Sequence, residues 1–224
     1  MAIFLLNLFG SASIGVYSLA TDKMAIIPLQ APEPKADKVE EWLGVKVAKT
    51  TLGGSVIVGV LACANSNGIV LPHYVRGEEL EVIKSVWDDA NLTVMETKRT
   101  AYGNMVLTND YGAVVDPRLK PKAIRKIADT LGVDVVLGEV AGLPYVGSLA
   151  LATNKGVLAH PLIKEEEKQV LEDVLKVPVD VGSINCGIPY VATGLIGNSN
   201  DVVAGLLTTG PEMFIIGQAL DVVK

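Results

Sequence analysis

Short apolar runs alternate with polar turns along the chain, and one version of this pattern occurs five times. Each copy has an apolar run, a polar turn and a second apolar run, and in four copies a proline follows the second run. The copies are SLATDKMAIIPLQ (18–30), CANSNGIVLPHYV (63–75), LTNDYGAVVDPRL (107–119), LATNKGVLAHPLI (151–163) and the weaker IGNSNDVVAGLLT (196–208). Two apolar runs around a turn predict a pair of strands.

The copies are spaced by 44 residues. One turn position holds a turn-forming residue in every copy, and these residues are Asp22, Ser66, Asp110, Asn154 and Asn198. The prolines are Pro28, Pro72, Pro117 and Pro161, spaced 44, 45 and 44, and a further step of 44 reaches Gly205. A fixed period of this length indicates a repeat architecture.

A helix is predicted after each proline, because apolar residues four apart share one helix face. The same 44-residue spacing gives two apolar series, Val39, Ile83, Ile127, Leu171, Ile215 and Leu43, Trp87, Leu131, Leu175, Ala219. The segment KEEEKQVLEDVLK (164–176) shows the pattern most clearly, with three glutamates in its first turn, where carboxylates favour the helix dipole.

Each helix is followed by another short apolar run and a corner assigned to glycine, at Gly10, Gly54, Gly103 and Gly147. The first residues of the chain therefore resemble the third strand of a unit that begins near residue 191. We predict an α/β fold of five strand–strand–helix–strand units in a five-fold pseudo-symmetric ring. Pairing of the N- and C-terminal segments would close the ring and remove sheet edges. The expected domain is single and spans 1–224.

Two other architectures fit less well. An ordinary α/β domain would need three coincident periods. A WD40 propeller has a similar repeat length, and Trp87–Asp88 spells its dipeptide once, but inside a predicted helix.

Composition bears on the cellular compartment of the protein and on the kind of partner that it binds. Half of the 224 residues are hydrophobic, only 5% are aromatic, and the net charge of −6 argues against phosphate neutralisation as the main source of binding energy. Two cysteines favour a reducing compartment. No membrane segment or signal peptide is predicted. We expect a cytoplasmic monomer.

The motifs GNMVLTNDYGAVVDP (103–117), VAGLPYVGSLALATNKGVLAHP (140–161) and VPVDVGSINCGIPYVATG (177–194) resemble the translation initiation factor 6 family in its archaeal form. The resemblance covers essentially the whole chain. It implies the pentein fold, an α/β propeller, and an anti-association function without cofactor or metal. A member of this family binds the large ribosomal subunit and sterically prevents joining of the small subunit, with a possible role in large-subunit maturation.

The resemblance also implies a partner and a face. The expected partner is a ribosomal protein near the sarcin–ricin loop, with minor contact to ribosomal RNA. The residues carried over are Asn65, Asn67, Tyr102, Gly103 and Asn104. Asn and Gly at such positions also serve backbone geometry. The pair Lys98–Arg99 in TKRT is either a phosphate contact or a solvated strand end.

A second hypothesis is an enzyme, since pentein folds also host enzymes that attack a guanidinium carbon with a cysteine. The candidates are Cys63, Cys186, His73, His160 and one of Asp22, Asp110 or Asp116. Cys63 lies in an apolar run, where burial would raise its thiol pKa. The units leave no room for long insertions that would wall a pocket, and TLGGS (51–55) lacks the phosphate-loop pattern. These features favour a binding protein.

Overall fold

The computed structural model describes residues 2–222, and these residues form five units of the same plan. Each unit has a one-turn helix, a first strand, a second strand, a long helix and a third strand. The first strands of units 1 to 5 are Leu19–Ala20, Cys63–Ala64, Val106–Thr108, Ala150–Ala152 and Leu195–Gly197. The second strands are Met24–Ile27, Gly68–Pro72, Gly112–Val115, Val157–Ala159 and Val202–Gly205. The third strands are Lys46–Lys49, Asn91–Met95, Asp134–Leu137, Val179–Val181 and, for unit 5, Ile3–Leu6.

The second strand is the centre of every sheet. It pairs antiparallel with the first strand and parallel with the third, giving five separate three-stranded sheets. Each second strand is buried along its whole length. A strand covered on both faces is expected to be continuously apolar, and this explains runs such as Met24–Ile27.

The long helices are α1 to α5, which span Glu33–Leu43, Gly77–Val86, Pro121–Leu131, Glu165–Leu175 and Gly210–Ala219. Three begin with proline in the first two positions, where the missing N–H has no helical acceptor. Two end at a left-handed glycine, Gly44 at φ 64° and Gly132 at φ 63°. The sequence therefore marks both ends of these helices.

The predicted ring closure is confirmed. Ile3–Leu6 pairs in parallel with Val202–Gly205, so the first strand of the chain completes the last sheet. The hydrophobic cores also cross unit boundaries: Val39 and Leu43 of α1 pack with Ile196 and Val203 of unit 5. Each long helix therefore wedges between two neighbouring sheets. Within residues 2–222, no helix has both the length and the apolarity to cross a bilayer.

The predicted register of unit 5 is wrong by one residue. The corner before each one-turn helix closes with a bridge such as Val140–Leu143, but in unit 5 the bridge joins Ile184 and Ile188 and encloses one more residue. Later positions shift accordingly. Ile216 is fully buried where Ile215 was predicted, and Leu220 takes the place predicted for Ala219. Ser199 likewise replaces Asn198 in the turn series.

The one-turn helices were not predicted. They are Ile14–Tyr17, Val58–Leu61, Tyr102–Met105, Val146–Leu149 and the 3₁₀ turn Val191–Gly194. Gly103 and Gly147 lie inside these helices, not at corners, and their counterparts are Gly15 and Gly59. The corners contain Gly10, Gly54, Gly142 and Gly187, all with positive φ. The sequence assignment mixed two glycine series because both recur every unit.

Candidate functional site

The closed ring of five units, which we call the disc, has two different faces. We call the side that carries the one-turn helices, their corners and the loops after the second strands the short-helix face. Backbone bonds hold these parts together, as in Asp116 N–H to Met105 O at 2.9 Å and His160 N–H to Leu149 O at 2.8 Å. We call the opposite side, with the hairpin turns and the C-terminal ends of the long helices, the turn face. There the Asn65 and Asn67 amides both donate to Leu131 O at 2.8 Å.

The one-turn helices form a tight inner ring on the short-helix face. A Cβ on Gly15 would lie 2.0 Å from Ala192 O, and one on Gly59 would lie 2.0 Å from Gly15 O. The same contact joins Gly147 to Gly103 at 2.1 Å. Since only glycine permits such an approach, these residues set the diameter of the ring.

A small mouth of about 100 Å³ opens at the centre of this ring. One side chain from each helix lines it at the same position, namely Val16, Val60, Asn104, Ser148 and Thr193. Large apolar side chains are exposed farther out on the same face, at Phe9, Leu29, Tyr145, Leu162, Ile188, Tyr190 and Leu206. Exposed apolar side chains grouped on one face are typical of a protein-binding surface.

The turn face closes the axis with hydrogen bonds. The Asn154 amide donates to Asp22 at 2.9 Å and to Asp110 at 2.6 Å, and its Oδ1 accepts the Asp110 N–H at 2.9 Å. Asp22 also accepts the N–H and hydroxyl of Ser199, each at 2.6 Å. The opening here is only about 30 Å³, so this end of the axis is a bonded plug.

The five residues predicted to bind a partner do not share one face. Asn65 and Asn67 lie on the turn face, whereas Tyr102, Gly103 and Asn104 lie on the short-helix face. Asn65 is buried and its amide oxygen accepts the N–H groups of Asn67 and Gly68. Tyr102 is fully buried, with its hydroxyl 2.7 Å from Thr97 Oγ1. Asn104 lines the central mouth, so it alone combines the predicted position with an accessible polar side chain there.

A set of glutamates, whose contact with the corners was not predicted from the sequence, supports the corners of the short-helix face. Glu79 accepts the N–H groups of Gly53 at 2.6 Å, Gly54 at 2.8 Å and Arg76 at 2.8 Å. Burial alone would raise the pKa of Glu79, but hydrogen bonds from Thr51 and these amides outweigh burial and lower it. Each such residue is the third of its helix, a capping-box position that could have identified it.

Units 4 and 5 have a glutamate at the equivalent position. Glu167 accepts the N–H groups of Ala141 at 2.7 Å and Gly142 at 2.8 Å. Glu212 accepts those of Cys186 at 3.1 Å and Gly187 at 2.8 Å. For Glu212, hydrogen bonds again outweigh burial and lower the pKa to about 2. These carboxylates hold the corners that border the face through hydrogen bonds to backbone N–H groups.

The residues of the enzyme hypothesis lie in different environments. Cys63 is buried and its thiol pKa is raised by burial, which removes the thiolate that attack requires. Cys186 is exposed in a corner and contributes its backbone N–H to Glu212. Asp116 is buried under the Arg118 guanidinium.

The two histidines lie in the loops after second strands. Burial lowers the pKa of His160, and its Nδ1 accepts the Leu162 N–H at 3.0 Å. The His73 ring makes an edge contact with Tyr74. Within 2–222, no three His, Cys, Asp or Glu side chains are grouped to hold a metal ion.

Comparison with known proteins identifies a family that matches nearly the whole chain. The model of the eIF-6 family matches residues 3–219. Translation initiation factor 6 of Pyrococcus horikoshii is 42% identical over 98% of this chain and 99% of that protein. The protein of the same name from Methanocaldococcus jannaschii is 40% identical over 96% of each.

The fold has a more distant likeness. A crystal structure of a dimethylarginine dimethylaminohydrolase adduct with S-methyl-L-thiocitrulline matches with a TM-score of 0.53, covering 92% of this chain and 90% of that one. At 14% identity this likeness shows the pentein fold alone. The family match and the two full-length relatives are independent of that likeness, and by them the chain belongs to the eIF-6 family.

Proposed function

We propose that this protein acts in translation initiation as a ribosome anti-association factor. It binds the large ribosomal subunit and prevents the small subunit from joining. Its full-length relatives are named translation initiation factors, which supports the role in initiation. The observation that carries the finer proposal is the short-helix face, a closely packed surface with exposed apolar side chains around the central mouth.

Rigidity is the property that the mechanism requires. The disc covers a surface that the small subunit would otherwise contact, so the two bodies exclude each other and no covalent step is needed. A closed ring with close-packed glycines does not have to be ordered upon binding, and this lowers the entropic cost of association.

The proposed partner is a basic ribosomal protein near the sarcin–ricin loop. The chain has a net charge of −6, which favours approach to a positively charged protein. Exposed Tyr145 and Tyr190 suit the apolar centre of such an interface. Asn104 lines the central mouth of the same face and is the polar contact that we assign to the partner. We place the protein in the cytoplasm as a monomer, with a further role in large-subunit maturation.

A sucrose-gradient assay with purified subunits tests the proposal. Adding the protein should deplete the joined ribosome peak and place the protein in the large-subunit fractions. Asn104→Arg should fold and lose this activity, because a larger charged side chain would stand in the proposed contact. Asn200→Arg is the matched control, since Asn200 is exposed on the turn face. Normal joining at saturating wild-type protein would refute the anti-association function.

The alternative is a guanidine-modifying activity, which the likeness of the fold to dimethylarginine dimethylaminohydrolase suggests. It predicts thiol-dependent release of ammonia or transfer of an amidino group from a guanidinium compound. Cys186 is the exposed cysteine and is the residue to replace with serine. Turnover that disappears in Cys186→Ser would support this alternative, whereas the binding proposal expects no turnover and unchanged subunit binding.

A further inference from the structure

Unit 3 departs from the corner design of its neighbours. In units 2, 4 and 5 the third residue of the long helix is Glu79, Glu167 or Glu212, and its carboxylate faces the corner amides. The equivalent residue in unit 1 is Lys35, whose ammonium donates to Asn7. In unit 3 it is Ala123, which has no polar side chain.

The corner of unit 3 is also different. Lys98 takes the place of Gly54, and Arg99 takes the place of Ser55. Bridges close the corners of the other four units, and within residues 2–222 no bridge closes this one. Instead the Thr97 hydroxyl donates to Arg99 O at 2.9 Å and contacts the Tyr102 hydroxyl. In unit 3 alanine thus replaces the glutamate, and two basic residues replace the glycine and serine of the corner.

A cavity of about 540 Å³ lies at this place. Its charged lining is almost entirely basic, with one acidic residue, Glu96, and six basic ones, Lys98, Arg99, Arg118, Lys120, Lys122 and Lys126. The whole chain has 19 lysines and arginines and a net charge of −6. Nearly a third of its cations therefore gather in one cavity of an acidic protein.

In the described part of the chain, four of these cations form no ion pair within 4 Å. Arg118 is paired with buried Asp116 at 2.6 Å, and Lys126 is 3.8 Å from Glu96. Within residues 2–222, Lys98, Arg99, Lys120 and Lys122 form no ion pair. Helix α3 begins at Pro121 beside them without a side-chain cap, so its positive dipole end adds to the field.

We propose that this cavity binds phosphate groups of an RNA backbone. The identification of RNA rests on the proposed function, which places the disc on a ribosomal subunit. The cavity borders the proposed docking surface, because the Arg118 guanidinium lies 4.8 Å from the centre of the Tyr145 ring. A protein seated by that surface would present the cavity to the RNA around its docking site.

The residues that line the cavity suit contact with the RNA phosphate backbone and do not distinguish between bases. Among residues 2–222 no aromatic side chain lines the cavity, so it offers bases no aromatic ring on which to stack. Most of its basic residues are lysines, which act as flexible point charges. Phosphate contacts of this kind fix orientation and carry no sequence information. The site therefore adds a local electrostatic contact to an interface that is mainly between proteins.

The test uses the purified protein and a short fluorescent oligouridylate, with fluorescence anisotropy measured over a salt series. Each phosphate contact to a single strand contributes about −0.7 to the slope of log K against log salt, so four contacts predict a slope of about −2.8. A fourfold rise in salt should then weaken binding about 50-fold. In Lys98→Gln/Arg99→Gln the slope should fall to about −1.4, and the affinity at low salt should drop.

Ala123→Glu is the second variant. It restores the carboxylate of the other units and should abolish RNA binding while the protein stays folded by circular dichroism. Lys23→Gln/Lys84→Gln is the matched control, since it removes two exposed positive charges outside the cavity and should leave the slope nearly unchanged.

Three results would overturn the inference. The first is that the wild-type protein binds no RNA at low salt. The second is that the control and the cavity variants lose the same RNA affinity. The third is that the protein binds ATP or inorganic phosphate saturably but binds no RNA, and that Ala123→Glu removes the ATP or phosphate binding. The subunit-joining assay is run on the same samples. Blocked joining without RNA binding would refute the phosphate site alone, whereas RNA binding with normal joining would refute the anti-association proposal alone.

Discussion

Gly103 packs directly against the backbone of Gly59, and a Cβ at Gly103 would lie 1.8 Å from the Gly59 carbonyl oxygen. This is the closest of the contacts that join the one-turn helices. The two residues are 44 positions apart and occupy equivalent places in neighbouring units. Ring closure thus depends on backbone contact at the inner rim as well as on the sheets and their cores.

Gly103→Ala should destabilise the protein by about 3 kcal/mol or more, because the methyl group can be accommodated only by a backbone shift. Urea unfolding followed by circular dichroism measures the change. Gly77→Ala is the control, since nothing lies within 4 Å of a Cβ there and Gly77 begins helix α2. That change should be neutral or stabilise by up to about 1 kcal/mol. Equal stabilities of the two variants would contradict the tight ring.

Acid should weaken the corner of unit 5 through Glu212. Its pKa falls from 4.5 in the unfolded chain to about 2 in the fold. A lowered folded pKa stabilises at a pH above the unfolded value, and the stabilisation is lost as pH falls from about 4.5 to about 2. The contribution is about 3 kcal/mol. Glu212→Gln should reduce stability at pH 7 and flatten the decline below pH 4.5.

Urea unfolding at a series of pH values measures this effect. Glu41→Gln, which replaces an exposed glutamate of α1, should leave the pH dependence unchanged. A Glu212→Gln profile parallel to that of wild type would show that the carboxylate does not carry the effect.

Thiol chemistry should separate the two cysteines. Cys186 is exposed, whereas Cys63 is buried and its raised thiol pKa disfavours the reactive thiolate. Ellman's reagent should modify one thiol per native chain and two after unfolding. Cys186→Ser should abolish the native reaction and leave subunit binding intact. Fast reaction of Cys63 in the native protein would mean that its strand opens readily.

The axial plug predicts a specific role for the Asn154 amide. Asn154→Asp removes the donors to Asp22 and Asp110 and adds a third carboxylate between them. We expect a loss of about 1–3 kcal/mol at pH 7. The deficit should shrink in acid, as protonation relieves the repulsion. Asn200→Asp adds the same charge at an exposed turn position and should have little effect in the same unfolding experiment.

Periodicity predicted much of the fold because each unit solves the same burial problem. The apolar pairs Val39–Leu43 and Leu171–Leu175 are buried as predicted, and Ile3–Leu6 completes the last sheet. The 44-residue period gave the wrong register in unit 5, where the chain has one additional residue and its composition does not change. The extra residue between Ile184 and Ile188 is absorbed in a turn, and contacts such as the burial of Ile216 reveal the shift.

The candidate site was predicted less completely. Tyr102–Gly103–Asn104 was identified as one segment, but its three residues have separate places, in the core, at the ring contact and at the mouth. The basic cavity was represented only by Lys98–Arg99, because Arg118, Lys120 and Lys122 come from a loop and helix of the same unit that lie up to 24 residues later.

The sequence by itself determined the number of units, the order of their strands and long helices and the closure of the ring. These follow from apolar periodicity and turn-forming residues, which act between neighbours along the chain. Only the tertiary structure decided which glycines are corners and which are contacts, which asparagines are buried and which cations lack a partner. Those properties depend on distances between atoms in different units, and a one-dimensional pattern contains no such distances.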